Sequence, residues 1–172
     1  LKYLGYSMNT KDQPALDAAK ALLIKQKSDG IVKGYLVAEV KDKMVAGEAP
    51  MAVVWSGDAL YAMSQSEDLQ YVVPKEGSNV WVDGMCIPKG SKNKELAEQF
   101  INFLCRPDIA KMNMEYIYYS TPIQAVVDGM TDDEKNNQTL NPPQDVIDRC
   151  EFFHDISSDM AKYDQIWTEI RG

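Results

Sequence analysis

Apolar residues near the start of the chain recur at helical spacing. Over residues 14–27, Leu16, Ala19 and Leu23 fall near one face, with Gln26 in line and Leu22 beside it. Thr10 or Asp12 is placed to cap this helix, Pro14 suits its first turn, and Ser28-Asp29-Gly30 ends it. The clearest stripe comes later. Leu96, Phe100, Ile101 and Leu104 recur at i, i+4, i+5 and i+8 in a helix opened by Ser91 or Asn93. Arg106-Pro107 breaks it, because proline disfavours helical geometry in the preceding residue. A further helix starts at Pro107-Asp108, with Ile109, Met112 and Tyr116 expected inward. Residues 144–149 and 157–170 also read as helical, the latter with Met160, Tyr163, Ile166 or Trp167, and Ile170 inward. Shorter helices are expected at 41–48 and 58–64. A helix start is expected at Thr131-Asp132-Asp133-Glu134, where the macrodipole favours acids.

Between the helices lie segments of strand character. Residues 51–55, Met-Ala-Val-Val-Trp, form the continuous apolar run expected of a strand buried on both faces. Residues 69–73 and 80–87 are further strand candidates, and 31–40 is a weaker one broken by Gly34. Strands alternating with helices predict an α/β sheet covered by helices. The break at Pro74-Lys75-Glu76-Gly77 suits a crossover between two lobes. Leu1, Tyr3 and Leu4 read as the last turns of a helix, so the chain is expected to be part of a longer one. Its 172 residues suit one domain or part of a two-lobed protein.

Composition narrows the function. A formal charge of −8 and a pI near 4.7 argue against a nucleic-acid partner, which calls for basic clusters. No apolar run approaches the ~20 residues that span a bilayer, and no secretory leader pattern opens the chain. Cys86, Cys105 and Cys150 are too few and too scattered for a disulfide framework or a zinc site, and are expected to be buried free thiols. His154 is the single histidine and has no nucleophile beside it in a known motif. Phosphate-cradling loops, nucleophile elbows and dinucleotide fingerprints are missing, and the acids at 131–134 lack calcium-loop spacing. No metal or cofactor is implied. A binding protein therefore outranks an enzyme.

The binding chemistry sits in two tryptophan–aspartate pairs. On a strand through residues 80–83, Trp81 and Asp83 share one face, offering a flat π-surface and a fixed negative charge. That pair suits an organic ammonium. Trp55-Ser56-Gly57-Asp58 repeats the combination where the apolar run at 51–55 ends in a glycine turn. The competing reading is two packed tryptophans with aspartates in turns. The tyrosines of the 116–119 segment read first as packing or hydrogen-bonding anchors.

Trp55-Ser-Gly-Asp58, Val73-Pro-Lys-Glu-Gly77, Trp81-Val-Asp83, Ile87-Pro88 and Phe103-Leu-Cys-Arg-Pro-Asp108 together resemble the spermidine/putrescine-binding receptors of bacterial ABC importers. The likeness runs from Leu4-Gly-Tyr-Ser-Met-Asn-Thr10 through Tyr119-Ser-Thr-Pro122 to the region of Glu151, and corresponds to the C-terminal half of such a receptor. It implies an α/β, type II periplasmic-binding-protein fold present in part. Residues 1–78 and 126–172 would belong to the second lobe, and residues 79–125 would be the crossover strand and the helices that complete the first lobe. It further implies that Trp55 and Trp81 stack on the methylenes of a polyamine, that Asp83 and Asp58 pair with ammonium groups, and that Tyr119 faces the cleft. Glu151 lies near a polar position used at the far side, whereas Phe153 stands where the pattern has glutamine. That departure points away from a third-nitrogen contact of the spermidine type. The implied partners are a small-molecule polyamine and the permease subunits of an ABC transporter. The implied location is extracytoplasmic: periplasmic, or anchored as a lipoprotein at the outer face of the cytoplasmic membrane. Uncovered strand edges in a partial chain predict a homodimer or exchanged strands. The alternatives are a same-fold receptor for another small solute, or a hydrolase or transferase with an unrecognised site.

Overall fold

Helix boundaries follow local chemistry. In the computed structural model, which describes all 172 residues, the Asp12 carboxylate accepts the Ala15 N–H at 3.1 Å and starts α1 (Gln13–Ser28). Such a cap satisfies one of the donors a helix start leaves unpaired. Thr131 and Glu134 form a reciprocal capping box that opens α7 (Asp132–Asn136). Proline enters at the first position of α5 (Pro107–Ile117), one residue beyond the Arg106 cap. The other helices are α2 (Val40–Val45), α3 (Ser56–Gln65), α4 (Lys94–Leu104), α6 (Gln124–Asp128), α8 (Gln144–Ile147) and α9 (Met160–Arg171).

Two compact units share these elements. The first combines Leu1–Val40, Val73–Trp81 and Gln144–Gly172. In it α1 packs on α9, burying Ala15, Leu16 and Ile170. Lys27 reaches across and its ammonium donates to the Ile170 carbonyl at 3.0 Å and to that of Arg171, meeting the negative end of α9. Tyr35 meets Trp167 edge-on at 5.0 Å, and the Tyr163 hydroxyl donates to the Thr10 carbonyl at 2.6 Å. Strands β1 (Asn79–Val80) and β2 (Glu151–Phe152) pair in parallel, Asn79 opposite Glu151. The second unit comprises Lys41–Val72 and Val82–Pro143. Its core is Ala110 and Met114 of α5 against Val126 of α6 and Met130, with Ile123 and Val127 beside them.

Several sequence expectations change here. The apolar runs at 51–55 and 69–73, the weaker one at 31–40 and most of 80–87 form no ladder; only residues 79–80 and 151–152 pair. A strand is a property of two segments, because its N–H and C=O groups need a neighbour about 4.8 Å away. Without one, Val53 is fully exposed and Val82 is 81% exposed. Trp81 and Asp83 thus lie on an irregular segment beyond β1. On α5 the inward residues are Ala110 and Met114, whereas Met112 and Tyr116 face solvent. Leu96 and Phe100 on α4 are exposed, as are Met160 and Trp167 on α9. Cys86 and Cys105 are exposed thiols and Cys150 is half-buried. Helix α6 falls in a stretch for which the sequence predicted no helix.

Gly77 fixes the approach to the β pair. Its φ is +85°, and a methyl group there would overlap the Arg149 carbonyl just before β2. Gly30, at φ +71°, has open space at the same position. Gly30→Ala is expected to cost about 1 kcal/mol of left-handed strain. Gly77→Ala should cost at least about 2 kcal/mol more, since backbone must also move. Urea unfolding of the two variants measures the gap, and equal losses would mean that the Arg149 contact constrains nothing.

Candidate functional site

Trp55 precedes α3 in extended conformation, and Ser56-Gly57-Asp58 is the first turn of that helix where the sequence suggested a glycine turn. Asp58 therefore sits at the positive end of α3, which favours a carboxylate. Asp58 and Tyr61 are three residues apart and share a face. Lys41 of α2 meets both: its Nζ is 3.4 Å from Asp58 Oδ1 and 5.1 Å from the centre of the Tyr61 ring.

Gly57 leaves the neighbouring face of α3 bare, and the Tyr119 ring lies on it. A Cβ at Gly57 would overlap Cε2 and Cζ of that ring. The turn that delivers Tyr119 is made by Tyr118. This residue caps α5 at φ 61°, a left-handed conformation costly for a bulky side chain, and its N–H bonds the Met114 carbonyl at 3.0 Å. The Tyr118 ring meets Tyr61 edge-on at 6.3 Å. The Tyr119 hydroxyl holds its proton above the ordinary tyrosine value. Burial is the main cause and the charge of Asp58 the next; a hydrogen bond from the Gly57 N–H acts the other way, and Asp83 and Tyr71 add to the rise.

Trp55, Asp58, Asp83 and Tyr119 thus belong to one unit. Asp83 is exposed, and Trp55 is 43% exposed. Trp81, half-buried, and Glu151 belong to the other unit. Glu151 is engaged within the fold: Lys2 Nζ is 2.7 Å from Oε1, while the Ser7 hydroxyl, the Met8 N–H and Asn9 Nδ2 all donate to Oε2. The Lys2 ammonium foremost, then the Ser7 hydroxyl, holds this carboxyl below the usual glutamate range. Phe153 is exposed beside it in sequence.

The face of α3 can hold an alkylammonium, because it offers a carboxylate, a π-surface and a phenol oxygen side by side. Lys41 and Tyr61 were not singled out from the sequence, and Gly57 and Tyr118 were read only as a turn residue and as a packing or hydrogen-bonding anchor. The i, i+3 spacing of Asp58 and Tyr61 was the available signal. Nothing local announces that Gly57 faces a residue 62 positions later.

Known proteins share this chain's pattern. Residues 1–142 match the family described as bacterial extracellular solute-binding protein. The spermidine/putrescine-binding periplasmic protein of Salmonella typhimurium is 34% identical over 172 residues, covering all of this chain and 49% of that protein. Its Escherichia coli K12 counterpart is 33% identical with the same coverage. The crystal structure of the spermidine/putrescine ABC transporter substrate-binding protein PotD from Streptococcus pneumoniae superposes with a TM-score of 0.80 at 31% identity, over 99% of this chain and 52% of that one. The chain spans about half the length of the curated relatives it matches.

Two outcomes test this geometry. In Gly57→Ala the Tyr119 ring must move, costing about 1–3 kcal/mol by overpacking, and ultraviolet titration should show its hydroxyl returning towards the ordinary value of 10.0. In the parent protein the Tyr119 contribution to stability is complete below that value and is lost as pH rises through the raised folded one. The sign is opposite for Glu151. Its contribution is present above 4.5 and is lost as pH falls through the lowered folded value. Glu151→Gln should cost about 1 kcal/mol at pH 7, discounted for partial exposure, with the difference from the parent vanishing in acid. A pH-independent difference would exclude the charge as the cause.

Proposed function

The chain belongs to the bacterial extracellular solute-binding protein family, and we propose that it forms part of a receptor that captures a polyamine, putrescine or spermidine, for an ABC importer. The observation that carries this reading is the gathering of Asp58, Asp83 and the Tyr119 hydroxyl in one unit that also contains Trp55. A polyamine is an apolar chain with charged nitrogens. Aromatic walls suit its methylenes, and carboxylates at fixed places select the spacing of its charges. Leaving a desolvated carboxylate without a cation is costly, so the wrong ligand is rejected by an unpaired charge. The names of the relatives support the same ligand class.

In this proposal Trp55 and Trp81 stack on methylenes, Asp83 and Asp58 pair with ammonium groups, and Tyr119 supplies a polar contact. Glu151 is kept as a further ligand contact, although Lys2 already neutralises it. The assignment of residues 1–78 and 126–172 to the second lobe, and of 79–125 to the crossover and first lobe, belongs to the same proposal. So do delivery to permease subunits and an extracytoplasmic location, periplasmic or lipid-anchored. No helix is long and apolar enough to cross a membrane. Exposed Val53, Val82, Leu96 and Phe100 favour self-association or strand exchange.

Calorimetry with putrescine, cadaverine, spermidine and spermine tests the function. Asp83→Asn and Asp58→Asn are each expected to weaken diamine binding about tenfold or more, while Asp132→Asn on α7 changes it less than about twofold. Unchanged affinity in both site variants would remove the assignment, and uptake of amino acids or anions in place of amines would make this a receptor for another solute. Light scattering should find a dimer at micromolar concentration; a monomer would end the association proposal.

A further inference from the structure

Lys41 is not among the ligand-contacting residues of the proposed function, yet its ammonium occupies the place where that function needs one. Its Nζ lies 3.4 Å from Asp58 Oδ1 and 5.1 Å from the Tyr61 ring centre. These are the two kinds of group, anion and π-face, that recognise an alkylammonium. A lysine side chain is a four-methylene arm ending in a primary ammonium, which is also the chemistry of one end of a diamine. We infer that Lys41 is a tethered competitor: it neutralises Asp58 in the empty protein and must be displaced when a ligand ammonium pairs with that carboxylate. The inference rests on the polyamine reading.

The surroundings allow the exchange. Lys41 and Asp58 side chains are 34% and 24% exposed, so both can be rehydrated as the pair opens. Lys41 lies in the first turn of a helix of six residues, from which its long side chain can swing without moving α3. An ion pair with this exposure adds little to folding stability. Its larger effect is on the neighbourhood of Asp58, where Asp83 and the Tyr119 hydroxyl also act. With the lysine in place, a ligand gains only the difference between its own contact and that of Lys41. Each ligand therefore binds more weakly than the carboxylate and ring alone would permit. The cost of displacing the lysine is the same for every ammonium that pairs with Asp58, so a solute with one ammonium and no second carboxylate contact is left with the weakest net binding there. The lysine thus sets an affinity threshold that ligands with two or more charges clear more readily.

Calorimetry with putrescine, spermidine and the monoamine butylamine separates the possibilities, using the parent, Lys41→Met, Lys41→Gln, Lys43→Met, Asp58→Asn and Lys41→Met/Asp58→Asn. Lys43, on the same helix, forms its own ion pair with Glu48, so Lys43→Met makes the same change in net charge. Lys41→Met and Lys41→Gln are expected to tighten putrescine about 3- to 10-fold and butylamine by at least the same factor. Lys43→Met should stay within about twofold, and in the Asp58→Asn background Lys41→Met should have no further effect. Thermal melting of the Lys41 variants should match the parent. Equal or weaker binding in both Lys41 variants, or the same gain in Lys43→Met, overturns the competitor and leaves the receptor reading standing. Absence of amine binding by the parent and by both Lys41 variants overturns both.

Discussion

The contact on which the candidate site depends is an aromatic ring lying on a helix that has no side chain beneath it. Tyr119 can occupy its position because residue 57 is glycine; any Cβ there would share space with the ring. The ring in turn covers the first turn of α3, where Asp58 stands at the positive helix end. One close approach therefore sets the position of a phenol oxygen relative to a carboxylate from a distant part of the chain. The left-handed Tyr118 meets the geometric demand from the other side. An ordinary helical exit from α5 would send the next residue elsewhere, so the strain at φ 61° is part of how Tyr119 is aimed. Tyr61 links the two by meeting the Tyr118 ring on the same helix that carries Asp58.

Glu151, in the other unit, and Asp83 differ in how their charge is used. Glu151 opens β2 and gathers Lys2, Ser7, Met8 and Asn9, so its carboxylate ties the N-terminal turn to the short parallel pair. Asn9 strengthens the tie by donating to the Phe152 carbonyl and accepting from the His154 N–H, each at 2.8 Å. Most of its lone pairs are committed within the fold, so a ligand cation there would share a carboxylate that Lys2 already neutralises. Asp83 is the opposite case. It is exposed on an irregular segment, and its effect on the structure is the field it exerts on Tyr119.

Legibility in the sequence divided along the same physical line. Helices that stop and start by local chemistry were readable: the Asp12 cap and Pro14 of α1, the Thr131 helix start, and the Pro107 boundary all hold. The strands were not, because residues 51–55 carry strand composition but a ladder requires a partner segment, which composition does not reveal. Helix faces failed for the same reason. Ala110 and Met114 turn inward because α6 is there to meet them, while Met112, Tyr116 and Phe100 have the right spacing and no covering element. At the site, residue types were legible and their neighbours were not. Trp55, Asp58 and Tyr119 could be named from motif order, but the dependence of Tyr119 on Gly57 spans two separate stretches of the chain.

Placing two carboxylates and a phenol together in an acidic protein raises a problem that the ligand alone does not solve. Without a ligand, each carboxylate must stay hydrated or pair internally. Asp83 is left in water, and Asp58 is given Lys41. The arrangement is asymmetric, and on the proposed function an incoming dication would meet unequal resistance at its two ends. Pairing at an exposed carboxylate replaces only water, whereas pairing at Asp58 also requires an ammonium to leave. On the proposed function, the first contact would be favoured at Asp83 and the exchange at Asp58 would follow, with the second ammonium already held nearby at high local concentration. On the same reading a monocation could pair at Asp83 but would bring no second ammonium to displace Lys41, so a dication would be favoured by the contact the monocation lacks.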